Sequence, residues 1–371
     1  MGYIRKKDNG WSFTVSLGLD PVTMKYKQKS KGGFKTKKEC QAAMMELETK
    51  INKGEYFEES KITLETYLKQ WLENVKHNIT ESTYVFYKDI AERVLTPALG
   101  KIKLDKLKTM QIQNFLTDKL KDNTLSNTSV RHYYNILNIA LNQAVKWQVI
   151  QNNPCLAVEP PKPSKAKIGV LKPNEVELLL NYTKSSEFKV MYIPLLLAIT
   201  CGMRRGEILG LLWEDVDLEK GIIRVKHNLT KIGKETKLVT PKTDMSVRTI
   251  ALLPTAISEL KHYKENRKII KLNDDEPDYV CCWGDGSYLK PDYVTHTFRK
   301  LLIKCELPLI RFHDLRHTHA TLLLMQGVNP KIVSERLGHS KIDMTLDTYS
   351  HVLPIMQEEA ALKLEKALFN K

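Results

Sequence analysis

Three prolines in four positions, within Glu159-Pro160-Pro161-Lys162-Pro163-Ser164, divide this chain. Proline fixes φ and has no backbone N–H, so this stretch continues neither a helix nor a sheet ladder. It reads as a stiff, exposed linker, and 371 residues are enough for two or three domains around it. The expected bounds are 1–55, 62–158 and 169–371. The expected fold is multidomain and mainly α with small β-sheets. A three-stranded sheet plus helix comes first, then a helical domain, then a mixed α+β domain.

Residues 1–55 read as a small sheet closed by one helix. Trp11, Phe13 and Val15 alternate with Ser12, Thr14 and Ser16, the period of a half-buried strand. Tyr3-Ile4-Arg5 supplies a second strand and Met24–Tyr26 opens a third, with turns at Asp8-Asn9-Gly10 and Asp20-Pro21. Thr36 caps a helix to about Asn52, and Glu39 three residues on completes a capping box. Lys25, Lys27, Lys29 and Lys31 alternate, so they project from one face of the third strand. A lysine row is often an edge that guards against aggregation. Here the first 38 residues carry ten Lys/Arg and two Asp, a net of +8 out of +15 for the whole chain. That concentration favours a nucleic-acid face, with Arg5 and Lys6 beside the lysine row.

Residues 62–158 repeat apolar side chains at helical spacing. Leu64, Tyr67, Leu68, Trp71 and Leu72 mark one helix; Tyr84, Tyr87, Ile90 and Val94 mark a second that begins at Ser82 and ends at Thr96-Pro97 and Leu99-Gly100. Met110–Leu120 and Thr128–Val145 complete a four-helix unit whose basic surface includes Lys88. Its aromatic residues suit a core better than base-stacking platforms.

Residues 169–371 mix helices with short strands. Helices are expected from Asn174 to Tyr182, Val190 to Thr200, Arg204 to Leu212, Thr255 to Ile269 and Pro291 to Cys305. Strands are expected at Gly221–Val225, Leu238-Val239 and Arg248–Ile250, with Lys242 in the connection between the last two. The amphipathic tail Ile355–Asn370 could pack on its own domain or on a neighbour.

The six cysteines are scattered without CxxC, which argues against a zinc site, and no apolar run reaches the length of a membrane span. No signal peptide is visible, so a reduced cytosolic compartment is expected.

The chemistry concentrates in Arg311 to Val352. His313 and Arg316 share a helix face, an apolar helix follows to Gly327, and Asn329-Pro330 starts another that stops at Leu337-Gly338. His339 lies just past that stop, and Tyr349 ten residues later. These groups suit an anionic substrate without a metal. Arginine binds phosphate bidentately, lysine can protonate a leaving oxygen, and a tyrosine flanked by cations can attack phosphorus. Upstream, Gly202-Met203-Arg204-Arg205-Gly206-Glu207 places a carboxylate three residues after an arginine. Spacing alone chooses neither between Arg204 and Arg205, nor between Lys242 and its neighbours Lys231, Lys234 and Lys237.

Together these residues resemble the tyrosine recombinases, or phage-type integrases. The matching motifs are TCGMRRGE with Arg204, TPKTDMSVRTI with Lys242, HDLRHTHAT with His313 and Arg316, LGHS with His339, and TLDTYSHV with Tyr349. The resemblance selects Arg204 and Lys242 from their alternatives. LTPALGKIKLDKL resembles that family's helical core-binding (SAM-like) domain, and NGWSFTV with KGGFKTKKEC its arm-site DNA-binding domain.

The resemblance implies an activity. Tyr349 attacks the scissile phosphate to form a 3′-phosphotyrosyl bond, and Lys242 protonates the departing 5′-hydroxyl. Arg204 and Arg316 hold the non-bridging oxygens, His313 assists proton transfer, His339 bonds the phosphate and Glu207 supports Arg204. No cofactor is implied. The implied partners are double-stranded DNA with core and arm sites, a homotetramer on that DNA, and an excisionase or host DNA-bending protein, in the nucleoid of a bacterial cytoplasm. A type IB topoisomerase-like swivelase shares the chemistry, and a non-catalytic regulator could share the fold; the arm-like module and intact tyrosine weigh against them.

Overall fold

The computed structural model describes residues 2–7, 10–19, 26–52, 62–121, 124–163, 168–240, 247–267, 277–338, 364–365 and 368–369. The chain divides into two compact units, Met1–Ser164 and Lys165–Lys371.

In the first unit, β1 (Tyr3–Lys7), β2 (Gly10–Leu19) and β3 (Tyr26–Phe34) form an antiparallel sheet in that order. Phe13 and Val15 of β2 are buried with Cys40 of α1 (Lys37–Asn52). The expected capping box is present. Thr36 Oγ1 accepts the N–H of Glu39 at 3.2 Å, and the Glu39 carboxylate accepts the N–H of Thr36 at 3.3 Å. Register refines the basic face. Lys29 pairs with Val15 and Lys31 with Phe13. Paired residues of an antiparallel ladder share a face, so these exposed lysines stand on the side of the buried core. Arg5 pairs with Ser12 and Lys6 with Trp11, so these two neighbours point to opposite faces. Lys25 and the side chain of Lys27 lie outside the described residues.

The helical part comprises α2 (Leu64–Val75), α3 (Glu81–Ile90), α4 (Thr96–Leu99), α5 (Thr109–Lys121) and α6 (Asn127–Lys146). Most of its aromatics pack in or against the core, as expected, while Phe86 and Trp147 are exposed. Tyr67 and Trp71 are each 1% exposed, Trp71 stacks on Tyr87 at 5.6 Å, and the Tyr67 hydroxyl donates to the Ala140 carbonyl at 2.7 Å. One helix boundary differs from expectation. Thr96-Pro97 does not end the second helix, because Ala91–Leu95 forms a π-helical turn that hands over to α4. Pro97 thus sits inside a continuous helical run with no N–H to donate, the wider π turn before it accommodates the ring, and the run stops only at Gly100. Lys88 is exposed on α3, 3.9 Å from Glu92.

The proline-rich stretch is more tightly held than an exposed linker. Glu159 exchanges backbone hydrogen bonds with the Gln113 amide, Asn127 donates to the Lys162 carbonyl and Arg131 to the Pro161 carbonyl. Its backbone carbonyls, free of ladder partners, serve as acceptors for α5 and α6.

The second unit is built around α8 (Tyr192–Cys201), packed by α7 (Pro173–Ser185) and α12 (Asp314–Met325). Eight of its ten residues are buried, as an all-round apolar helix requires. The expected helix from Arg204 shrinks to α9 (Arg205–Leu209). Strands β4 (Val216–Asp217), β5 (Ile222–Val225) and β8 (Arg248–Ala251) form one antiparallel sheet, in the order β4-β5-β8. A separate hairpin joins β6 (Asn228–Ile232) to β7 (Glu235–Val239); the mixed polarity of β6 hid it from the pattern. Helices α10 (Pro254–Asn266), α11 (Pro291–Lys304) and α13 (Pro330–Leu337) complete the unit. Cys281 and Cys282 are buried in its core as small apolar groups.

Trp71→Ala should leave a cavity at the centre of the helical part and cost about 3–5 kcal/mol. Urea unfolding of the full chain checks this; unfolding transitions identical to those of the parent would contradict the placement of Trp71.

Candidate active site

The last turn of α13 is the centre of the site. The final carbonyls of a helix have no intrahelical partners and carry the negative end of the helix dipole. Here three successive carbonyls each receive a different guanidinium. Arg248 Nε donates to the Arg336 carbonyl at 2.9 Å, Arg316 Nη2 to Leu337 at 2.6 Å, and Arg204 Nη2 to Gly338 at 3.1 Å. Gly338 ends the helix in the left-handed region at φ 69°, and a Cβ there would lie 2.9 Å from Arg248 Cδ. Glycine is therefore required both by the backbone and by the arginine packed on it.

Each arginine arrives from a different part of the unit. Helix α8 ends at Gly202 with φ 63°, where a Cβ would lie 2.8 Å from Leu337 Cδ2. That turn places Arg204 at the N-cap of α9, where the Glu207 carboxylate accepts its backbone N–H at 2.8 Å and its Nη1 at 2.7 Å. Arg316, on α12, is 2% exposed and donates Nη1 to the Gly202 carbonyl at 2.8 Å. Arg205 turns away, onto the Pro291 carbonyl and Thr295. The geometry thus separates the two adjacent arginines that spacing could not.

Glu207 is the carboxylate that answers the cluster. Arg248 Nη1 and Nη2 grip Oε1 and Oε2 at 3.1 and 2.8 Å. Burial pushes the Glu207 carboxyl up, but Arg248 and then Arg204 outweigh it and hold it at about 2. His313 precedes α12 as its N-cap; burial, then Arg316, lowers its pKa. Its ring centroid is 5.3 Å from that of His317. Lys242, His339 and Tyr349 lie outside the described residues. The structure therefore brings together Arg204, Glu207 and Arg316, with His313 at the head of the same helix as Arg316.

Sequence reasoning missed Arg248, Arg336 and His319. The Arg336 side chain donates Nη2 to the carbonyls of Thr200 and Ala251 at 3.0 and 2.9 Å, and Nε to His319 Nε2 at 3.2 Å. His319 Nδ1 meets the Ile199 carbonyl at 2.7 Å. A carbonyl only accepts and an arginine Nε only donates, so the neutral ring protonated at Nδ1 satisfies both. A guanidinium lowers the neighbouring carbonyls' negative potential and is suited to bidentate phosphate binding, so this surplus of positive charge fits an anion. Elsewhere Glu214, Asp215 and His227 converge within 4.8 Å. There Lys226 Nζ lies 2.7 Å from Asp215 Oδ1, so an ammonium already pairs with the buried carboxylate.

His317 and His319 are both held down at about 4, with burial the main cause in each. In the unfolded chain they titrate near 6.5. Between these values the unfolded state binds more protons, so this contribution is complete above about pH 6.5 and is lost as pH falls toward 4. Thermal unfolding should therefore show a lower midpoint at pH 5 than at pH 7, with a shallower dependence in His317→Gln/His319→Gln. Equal slopes in the two proteins would contradict the assignment.

Comparison with known proteins places this geometry. Residues 169–355 match the phage integrase family, residues 63–120 the N-terminal SAM-like domain of phage integrases, and residues 3–51 an arm DNA-binding domain. A XerC-like tyrosine recombinase of Caldanaerobacter subterraneus subsp. tengcongensis is 29% identical, covering 96% of each chain. The ICEBs1 integrase of Bacillus subtilis is 27% identical, covering 98% of this chain and 100% of its own. Among solved structures, the Tn1549 transposon integrase bound to circular-intermediate DNA shares the fold with a TM-score of 0.69 at 22% identity, covering 81% of this chain and 100% of that one. A lambda integrase dimer on a core site gives 0.61 at 17% identity, covering 93% and 94%.

Proposed function

The chain belongs to the phage integrase family of tyrosine recombinases, enzymes that cut and rejoin DNA in site-specific recombination, and on that premise we propose that it integrates or excises a phage or other mobile element. The carrying observation is the convergence of Arg204 and Arg316 on the turn at Leu337–Gly338, immediately before His339. Arg204 and Arg316 bind the non-bridging oxygens of the scissile phosphate, and Glu207 fixes Arg204. His313, beside them, assists proton transfer in its neutral form. Tyr349 attacks phosphorus, the 3′-phosphotyrosyl bond forms as the bond to the 5′-oxygen breaks, and Lys242 donates the proton that oxygen takes. A second 5′-hydroxyl reverses the step, so the bond energy is conserved and no nucleotide is consumed.

Under this reading residues 1–55 bind arm sites, residues 62–158 bind the core site and residues 169–371 carry the chemistry, in a homotetramer on two duplexes. Arg5, Lys6, Lys25, Lys27, Lys29, Lys31 and Lys88 neutralise DNA phosphates. An excisionase or DNA-bending protein sets direction, and the protein works in the bacterial cytoplasm. No described helix is long and apolar enough to cross a membrane. Relatives named as integrases, among them that of Mycobacterium phage L5 at 25% identity over 77% of this chain and 75% of its own, support the element-mobilising role.

Tyr349→Phe should bind a nicked recombination-site duplex within about twofold of the parent and lose the covalent protein–DNA adduct on a denaturing gel. An adduct that persists would move the nucleophile to another residue.

A further inference from the structure

Arg248 has no part in the chemistry assigned to this site, yet three of its nitrogens are committed there. Nε donates to the Arg336 carbonyl at 2.9 Å, and Nη1 and Nη2 to the two oxygens of Glu207 at 3.1 and 2.8 Å. The Arg248 side chain is only 7% exposed, whereas that of Arg204 is 37% exposed and open to a ligand. Arg204 is held at two points, Glu207 Oε1 and the Gly338 carbonyl. Arg248 bonds the same carboxylate and a carbonyl two residues before Gly338, and its stem packs where Gly338 has no side chain.

We propose that Arg248 is a positioning residue for DNA cleavage: it ties Glu207 and the last turn of α13 into one body, so that Arg204 meets the scissile phosphate in a single geometry. This rests on the reading of Arg204 as a phosphate-binding group. An ordinary core ion pair needs only charge. The planar fork of Arg248 instead spans a carboxylate and a main-chain carbonyl at once, which the single ammonium of lysine does not reproduce.

The charged groups facing Glu207 are Arg204 from its own helix and Arg248 from β8. Arg336, from α13, and the Cys201 thiol at the end of α8 lie beside Arg248, and burial pushes that thiol up, so it stays neutral. Without Arg248, burial pushes the Glu207 carboxyl up with Arg204 alone opposing it. Protonated Glu207 holds Arg204 with a weaker bond. The variant therefore loses cleavage as pH falls through the raised Glu207 pKa, at a pH where the parent is still fully active.

The test uses the full chain and a nicked duplex carrying its recombination site, selected from random-sequence DNA by binding to that chain. Single-turnover formation of the covalent adduct is followed from about pH 5 to pH 8, with DNA affinity measured in parallel. Arg248→Gln should slow cleavage by about tenfold to a hundredfold at neutral pH, bind DNA within about twofold of the parent, and show a new acid limb. Arg248→Gln/Glu207→Gln should lose that limb. Arg248→Lys should show a weaker one, and it carries the test if the glutamine variant does not fold. A parent-like rate and pH profile in Arg248→Gln, with Arg204→Gln inactive, overturns the proposal alone. So does a pH-independent loss that matches a loss of DNA affinity or of stability. Full cleavage by Arg204→Gln overturns the reading of Arg204 and the proposal with it.

Discussion

The C-terminus of one eight-residue helix organises this site. Carbonyls of Arg336, Leu337 and Gly338 would otherwise be unpaired acceptors at the negative end of α13. Three guanidiniums from β8, α12 and the N-cap of α9 satisfy them one by one. The fold thereby solves two problems with the same groups. It closes a helix end in the interior, and it gathers positive charge that would repel itself without acceptors between.

Glu207 makes that gathering affordable. A buried carboxylate with one partner would be costly, and removing a partner from a buried pair typically costs about 3–5 kcal/mol. Shared between Arg204 and Arg248, it stays ionised and leaves the guanidiniums in surplus. On the proposed reading of Arg204, a phosphodiester entering beside its exposed face meets a preorganised cation, whose position has already been set by folding. Electrostatic stabilisation of this kind needs no reorganisation at the moment of reaction. The part-buried His319–Arg336 contact extends the same logic, joining the ends of α8 and β8 to α12 and α13 with neutral acceptors.

Much of the fold was legible because it follows local rules. Alternation revealed β2, a capping box placed the start of α1, and an apolar run identified α8 as a helix. Where a local rule met a local exception, legibility failed: the π turn before Pro97 let a helix run through a proline, and the polar faces of β6 disguised a strand. The site divides in the same way. His313 and Arg316, three apart on one helix, were visible as a pair. Arg248 was not, since its partners Glu207 and Arg336 lie 41 and 88 residues away and its own neighbourhood reads as an ordinary strand. Spacing also left Arg204 and Arg205 equivalent, and only the tertiary contacts send one to Gly338 and the other to Thr295.

The central claim is that arginines hold the α13 turn in place before DNA arrives. Nitrogen-15 NMR of arginine side chains in the DNA-free chain tests it most directly, with signals assigned by single Arg→Lys variants. The account predicts slowly exchanging Nε–H of Arg248 and hindered rotation of the Arg248 and Arg316 guanidiniums, with Arg204 more accessible than either. Rapid exchange and free rotation of all three, as for surface arginines, would contradict it.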